Sequence, residues 1–234
     1  DASVSNLFKK GDTVLTLNAG KFGERWTKIA QAYGLNAREI KVPPGQTITA
    51  AQVEKELTAN PGCKGVLFQA SETSTGARLP VQEICAVARK HGALSVVDAI
   101  TALGVFELPM DAWHIDVLIT GSQKALMTPP GLAFIALSDT AWKSAETSDL
   151  PKFYFDLKRE RKAVPKAQTA WTPSISLIQM LHQSLTLILA EGREGLFARH
   201  ALLANATRAA VQALGLELLA PDAPSDAVTA VRVP

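Results

Sequence analysis

Two residues able to take part in covalent chemistry follow strand-like segments of the sequence. Lys124 lies in a turn with few charged neighbours, and Asp98 directly follows the strand-like residues 94–97. An amine held in a poorly solvated turn loses its proton more readily and can then form an imine with an aldehyde cofactor. A carboxylate at a buried strand end needs a positive or hydrogen-bonding partner, such as a protonated heterocyclic nitrogen. Taken singly, Lys124 could be a surface lysine, and Asp98 could cap a turn or pair with a structural arginine.

The segments that follow four of the strand-like runs consist largely of small and polar residues. These segments are residues 18–23, 71–76, 98–101 and 120–124. Ligands of open parallel sheets bind beyond the carboxyl ends of the strands, so we expect the four segments to converge at one edge. Together they supply a carboxylate, a lysine, an aromatic ring and several hydroxyl and amide donors.

Short β-branched runs alternate with helical periodicity over most of the chain. Strands are predicted at residues 13–17, 37–42, 64–69, 93–97, 115–119 and 132–137. Helices are predicted over residues 24–33, after a Thr49 cap, and from Pro80 onward. The strand-like runs are interpreted as apolar on both faces, which is typical of strands covered by helices above and below. The pattern predicts an α/β fold with a three-layer, mostly parallel sheet.

The pattern changes beyond Ser138. Residues 173–189 and 196–214 have long helical patterns, and residues 216–219 and 227–233 are strand-like. We expect a large domain over residues 1–190, followed over residues 191–234 by a linking helix and the start of a smaller α+β domain. Because the chain opens without methionine and stops within a strand-like run, we expect it to be an internal part of a longer protein that lacks the N-terminal part of the large domain.

Composition excludes several classes of partner. The 24 basic and 22 acidic residues give a net charge of +2, too weak to indicate nucleic acid or an anionic membrane as partner. No apolar run approaches the roughly 20 residues of a membrane helix. Cys63 and Cys85 form neither a disulfide framework nor a zinc signature, and the four histidines fall in unrelated segments. We therefore expect a cytoplasmic globular protein without a metal.

Motifs of several enzyme classes are missing from the sequence. There is no Gly-x-Ser-x-Gly elbow, no Gly-x-Gly-x-x-Gly after a strand and no Walker loop. Their absence disfavours a serine hydrolase, a dinucleotide-dependent oxidoreductase and a nucleotide-binding phosphate loop.

Four segments, in the same order along the chain, carry a family resemblance. Residues 96–104 and 120–131 resemble the class V aminotransferases of fold type I, which depend on pyridoxal 5′-phosphate. Residues 18–26 and 71–76 resemble the same family, closest to its alanine-glyoxylate, serine-glyoxylate and serine-pyruvate group. Gln123 stands where the related cysteine desulfurases typically have a histidine, which disfavours that relative.

The resemblance implies roles for residues around the cofactor ring. Lys124 would hold the cofactor as a Schiff base and then move the proton from the substrate α-carbon. Asp98 would pair with the pyridinium nitrogen, so that the ring can accept electrons. Phe22 would stack on one ring face and Ile100 would pack on the other, although Phe22 could also be an ordinary core residue.

Further roles concern the cofactor's oxygen atoms. By the same resemblance, Thr73 would bond the phenolic oxygen and Gln123 would help to hold the phosphate. Thr169 and Thr172 would reach across a homodimer interface to the phosphate of the neighbouring subunit, or they could be simple turn and cap hydroxyls. The family's phosphate cup and its carboxylate-binding arginine are expected outside this sequence.

The activity implied by the resemblance is transamination. Alanine or serine would donate an amine, and glyoxylate or pyruvate would accept it. Two alternatives stay open: a non-catalytic accessory protein on the same fold, and a pyridoxal-phosphate transaminase for an aminophosphonate or pyridoxamine.

Overall fold

A six-stranded sheet lies at the centre of the protein, whose computed structural model describes residues 1–233. The strands are β1 (Thr13–Asn18), β2 (Asn36–Lys41), β3 (Gly65–Gln69), β4 (Ser71–Glu72), β5 (Ala77–Arg78), β6 (Leu94–Asp98), β7 (Val117–Gly121), β8 (Ala133–Leu137), β9 (Glu217–Leu218) and β10 (Val231–Arg232). The helices are α1 (Ala2–Leu7), α2 (Lys21–Ala32), α3 (Ala50–Ala59), α4 (Val81–Lys90), α5 (Asp139–Thr147), α6 (Leu157–Ala163), α7 (Ile175–Glu191) and α8 (Arg193–Ala213).

The strand order in the central sheet is β2-β1-β3-β6-β7-β8. The first five strands run parallel, and β8 runs antiparallel to β7 at the edge. Parallel neighbours need long crossovers; α2, α3 and α4 supply three of them, and residues 99–116 form the fourth, from β6 to β7. The predicted α/β, mostly parallel sheet is therefore confirmed.

Helices cover both faces of this sheet. On one face, Val53 of α3 and Ile84 of α4 pack with Phe68 of β3 in a buried cluster. On the other face, α1, α2 and α5 pack in a second cluster that includes Trp26 and Val96. The central strands β1, β3 and β6 contribute to both clusters, so the predicted three-layer arrangement is confirmed.

One feature predicted for the strands is wrong at the sheet edge. Strand β2 exposes four of its six residues, including Arg38 and Lys41. It pairs only with β1, so water reaches its free edge. The reading of every strand as apolar on both faces thus fails for β2.

Four elements were not predicted from the sequence. They are the short helices α1, α5 and α6 and the β4–β5 hairpin, which lies in the segment interpreted as a polar loop. The hairpin is packed inside the protein, where Ser71 and Glu72 are buried.

No helix within residues 1–233 is long and apolar enough to cross a membrane.

The C-terminal part begins with two long helices. Helices α7 and α8 are separated at Gly192, which has a φ of +79°. This break lies next to the boundary predicted after residue 190, and the division into two domains stays a prediction. Beyond α8 the chain returns to the β4–β5 hairpin, where Ser225 Oγ and Ser71 Oγ lie 2.7 Å apart.

Replacement of Gly23 by alanine is expected to destabilise the protein by about 1–3 kcal/mol, the usual cost of overpacking a close contact. A Cβ at Gly23 would lie 2.5 Å from the carbonyl oxygen of Leu17 and 2.7 Å from Cα of Asn18, so α2 would have to move off β1. The free energy of unfolding, measured in denaturant, tests this. The matched control is Gly195→Ala in α8, where the new Cβ meets only Glu191 Cγ at 3.5 Å. Equal effects of the two substitutions would contradict the proposed close packing.

Candidate functional site

One cavity of about 900 Å³ lies at the carboxyl ends of β3, β6 and β7. All eight site residues predicted from the sequence line it: Phe22, Thr73, Asp98, Ile100, Gln123, Lys124, Thr169 and Thr172. They come from five separate parts of the chain. The parallel sheet brings six of them together because the segments after β1, β3, β6 and β7 open on the same edge, and Thr169 and Thr172 reach the cavity from the segment before α7.

Asp98 is the last residue of β6 and lies on the cavity floor. Its Oδ1 accepts a hydrogen bond of 2.9 Å from the backbone N–H of Ile100. Burial raises the pKa of this carboxyl to about 6, against weaker lowering by that hydrogen bond and by Arg25, and the negative charge of Glu72 raises it further. No cationic side chain within residues 1–233 forms an ion pair with it. The ionised carboxylate is thus incompletely compensated and suits a cationic N–H group.

Lys124 lies on the cavity wall in the turn after β7. Several bonds fix this turn: the Met127 N–H donates to the Lys124 carbonyl at 2.9 Å, and Ser122 Oγ donates to the Pro129 carbonyl at 2.7 Å. The Ser184 hydroxyl of α7 also donates to the Leu126 carbonyl. The Lys124 side chain itself is exposed, so the poor solvation expected from the sequence is not found in this part of the protein.

Phe22 and Ile100 supply half-buried apolar side chains to the cavity. Phe22 lies in the first turn of α2, and the guanidinium of Arg25, one turn later, is 5.0 Å from its ring centre. Ile100 lies two residues after Asp98, at which β6 ends. These positions suit packing against a planar ring.

The hydroxyl groups differ in their surroundings. Thr73 Oγ1 lies 3.0 Å from Thr101 Oγ1, at the tip of the β4–β5 hairpin. Thr169 Oγ1 donates to the Trp171 carbonyl at 2.5 Å, and both Thr169 and Thr172 are exposed. The bond from Thr169 is what a turn hydroxyl makes, which was the alternative interpretation of this residue. Gln123 is exposed beside Lys124.

Two buried residues of the site were missed in the sequence. Gln69 ends β3 and is the register partner of Asp98, and Glu72 follows three residues later. The Gln69 Nε2 group donates to Glu72 Oε2 at 3.0 Å, while Gln69 Oε1 has no hydrogen-bond partner among residues 1–233. Their position at a strand end was the available signal.

The residues around the cavity fit the pyridoxal phosphate implied by the resemblance. The incompletely compensated Asp98 and the unpartnered Gln69 oxygen are acceptors for a protonated ring nitrogen. Lys124 supplies an amine, Gln123 is a neutral donor that suits phosphate oxygens, and Thr73 has a hydroxyl that suits the phenolic oxygen. The set therefore provides groups for each polar part of this cofactor.

Comparison with known proteins identifies the family. The profile described as Aminotransferase class-V matches residues 2–233. The chain is 43% identical over 238 residues to the soluble hydrogenase 42 kDa subunit of Anabaena cylindrica, covering 100% of this chain and 62% of that protein. It is 39% identical over 243 residues to the L-aspartate–glyoxylate aminotransferase of Paracoccus denitrificans (strain Pd 1222), with 100% and 61% covered.

A solved structure gives the same result. The alanine–glyoxylate aminotransferase from Nostoc sp. superposes with a TM-score of 0.94 at 28% identity, covering 100% of this chain and 63% of that one. The chain thus spans 61% to 63% of the length of these relatives. Since the family profile extends from residue 2 to residue 233, the chain belongs to the class V aminotransferase family.

Proposed function

We propose that this protein catalyses transamination between alanine or serine and glyoxylate or pyruvate, with pyridoxal phosphate as cofactor. The observation that carries the proposal is the convergence of Lys124 and Asp98 on one cavity edge, an amine and an under-compensated carboxylate. The Paracoccus and Nostoc relatives both have glyoxylate in their names, which supports a small 2-oxo acid as acceptor.

When bound, pyridoxal phosphate supplies an aldehyde and a ring that accepts electrons. Asp98 would keep a proton on the ring nitrogen, because its under-compensated carboxylate lines the cavity. Lys124 would hold the cofactor through its amine and would serve as the base for the proton of the substrate α-carbon. Its exposed side chain has room to move between these two tasks.

The remaining residues orient the ring. Phe22 and Ile100 would pack against the ring and exclude water from it. Thr73 would donate to the phenolic oxygen, and Gln123 would donate to the phosphate. Thr169 and Thr172 serve a phosphate across a homodimer interface in this proposal, and a cytoplasmic location accompanies it.

An absorbance experiment tests the proposal. The full-length protein is purified with pyridoxal phosphate, and alanine, serine or aspartate is then added, followed by glyoxylate or pyruvate. We expect a visible band that bleaches with alanine or serine and returns with the oxo acid. Aspartate, the donor in the name of the Paracoccus relative, serves as the comparison donor. A band that bleaches only with aspartate would overturn the proposed donors.

A second candidate function is a non-catalytic subunit of a larger assembly. It is favoured by the Anabaena relative, which is named as a hydrogenase subunit. The same experiment separates the two functions, since a subunit without turnover gives no band or a band indifferent to every amino acid.

A further inference from the structure

Glu72 is a fully buried carboxylate beside the cavity. It is 0% exposed, and no lysine, arginine or histidine among residues 1–233 forms an ion pair with it. A buried charge without a counter-ion is costly unless hydrogen bonds satisfy its oxygens. Glu72 therefore needs a structural or functional reason to be where it is.

Hydrogen bonds from three parts of the chain reach this carboxylate. Oε2 accepts from the backbone N–H of Gly23 at 2.9 Å, from that of Phe22 at 3.1 Å, and from Gln69 Nε2 at 3.0 Å. Oε1 accepts from Ser74 Oγ at 2.6 Å and from the Ser74 N–H at 3.1 Å. Apart from Gln69, each of these donors requires an acceptor where the Glu72 carboxylate lies. They therefore fix the carboxylate in one orientation.

The contact with α2 replaces a missing helix cap. The N-cap residue is Gly20, which has no side chain to receive the first N–H groups of the helix. A Cβ at Gly20 would lie 2.7 Å from both Cγ and Cδ of Glu72, so the glutamate occupies the place of that side chain. Its negative charge also suits the positive end of the helix dipole. Glu72 thereby fixes the helix turn that carries Phe22.

The contact with Gln69 sets the direction of an amide. A carboxylate without a proton can only accept, so Gln69 must turn its NH₂ group toward Glu72. The Gln69 oxygen is then left without a partner in residues 1–233, next to the strand end that carries Asp98. A buried acceptor without a partner thus belongs to a residue that lines the cavity.

We propose that Glu72 is a positioning residue of the cofactor site, which fixes Phe22 against one ring face and presents the Gln69 oxygen, beside Asp98, to the ring N–H. This inference rests on the proposed function, because it needs pyridoxal phosphate as the ligand. The charge of Glu72 acts in the same direction, since it raises the pKa of Asp98 and so favours a cation in contact with that carboxyl.

The test compares Glu72→Gln with the wild-type protein. The glutamine keeps the shape but loses one acceptor, so its NH₂ group meets N–H or O–H donors. We expect pyridoxal phosphate, titrated into the cofactor-free protein, to bind at least about tenfold more weakly, as when buried donors lose their acceptor. We also expect a reduced visible circular dichroism of the bound cofactor, which reports how the ring is held.

The matched control is Asp116→Asn. Asp116 also accepts hydrogen bonds, from the Ser95 N–H at 3.0 Å and Ser138 Oγ at 2.7 Å, but it precedes β7 at the opposite edge of the sheet. Its neutralisation should lower the melting temperature and leave the affinity and the dichroism unchanged. Should Glu72→Gln fail to fold, Ser74→Ala removes the 2.6 Å bond to Oε1 together with the 2.9 Å bond from the Lys21 N–H, and we expect about threefold weaker binding.

The outcomes are distinguishable. Wild-type protein that binds no pyridoxal phosphate overturns the proposed function and this inference together. Wild-type protein that binds, with Glu72→Gln or Ser74→Ala binding equally well and with the same dichroism, overturns the inference alone. Weaker binding and reduced dichroism in these variants, absent from Asp116→Asn, support it.

Discussion

Lys124→Ala is expected to lose the visible band of the bound cofactor and to slow transamination by at least about 10²- to 10⁴-fold, the usual contribution of a positioned acid–base group. Lys124 is the only lysine lining the cavity within residues 1–233, so no second lysine side chain is placed to replace it. Absorbance after addition of pyridoxal phosphate and the rate with alanine and glyoxylate measure both effects.

A surface lysine supplies the control for this variant. Lys143 of α5 is exposed and does not line the cavity, so Lys143→Ala should keep the band and the rate. Wild-type turnover in Lys124→Ala would rule out the role proposed for Lys124.

Asp98→Asn should lower the turnover rate by about 10²-fold, because electrostatic stabilisation of a charged reacting group is typically worth this much. Asparagine keeps the shape and the hydrogen bond with the Ile100 N–H but cannot hold a positive charge on the ring nitrogen. Steady-state rates at saturating pyridoxal phosphate give the measurement. A variant as fast as the wild type would remove Asp98 from the proposed mechanism.

The same substitution should stabilise the cofactor-free protein. The folded-state pKa of Asp98 is raised from 3.8 to about 6, so ionisation of this group opposes folding at high pH and has no effect below pH 4. Wild-type stability should therefore fall by at most about 3 kcal/mol as pH rises from 4 through 6. Denaturant titrations should show Asp98→Asn more stable than the wild type at pH 8 and equal to it at pH 4. Loss of stability at pH 8 in the variant would contradict the desolvation of this carboxyl.

Local sequence signals were sufficient for most of the fold. The run predicted over residues 64–69 is β3, and the predicted Thr49 cap forms a capping box with Gln52. Both depend on neighbouring residues alone. The failures depend on distant contacts, since β2 has an exposed edge only because of its place in the strand order.

The candidate site divides in the same way. The motifs around Asp98 and Lys124 predicted that both residues lie at the same edge of the sheet. Both residues line the cavity at that edge. Solvation of Lys124 was misjudged because it depends on which segments cover the turn. Glu72 was missed because its partners Phe22 and Gly23 are about 50 positions away in the sequence. The residues near Glu72 in the sequence give no indication of the helix N-terminus that it caps.

The parallel direction of five strands also separates two kinds of surface. The cavity of the proposed site lies at the carboxyl ends, whereas Gly62 and Gly92 lie in turns just before β3 and β6, at the amino ends. At both glycines the space where a side chain would begin is open within 4 Å, although their positive φ values, +90° and +68°, favour glycine itself. Residues inserted in these turns would stand away from the reaction. Fluorescent labels or immobilisation tags attached at these turns would leave the edge of the proposed site facing the solution.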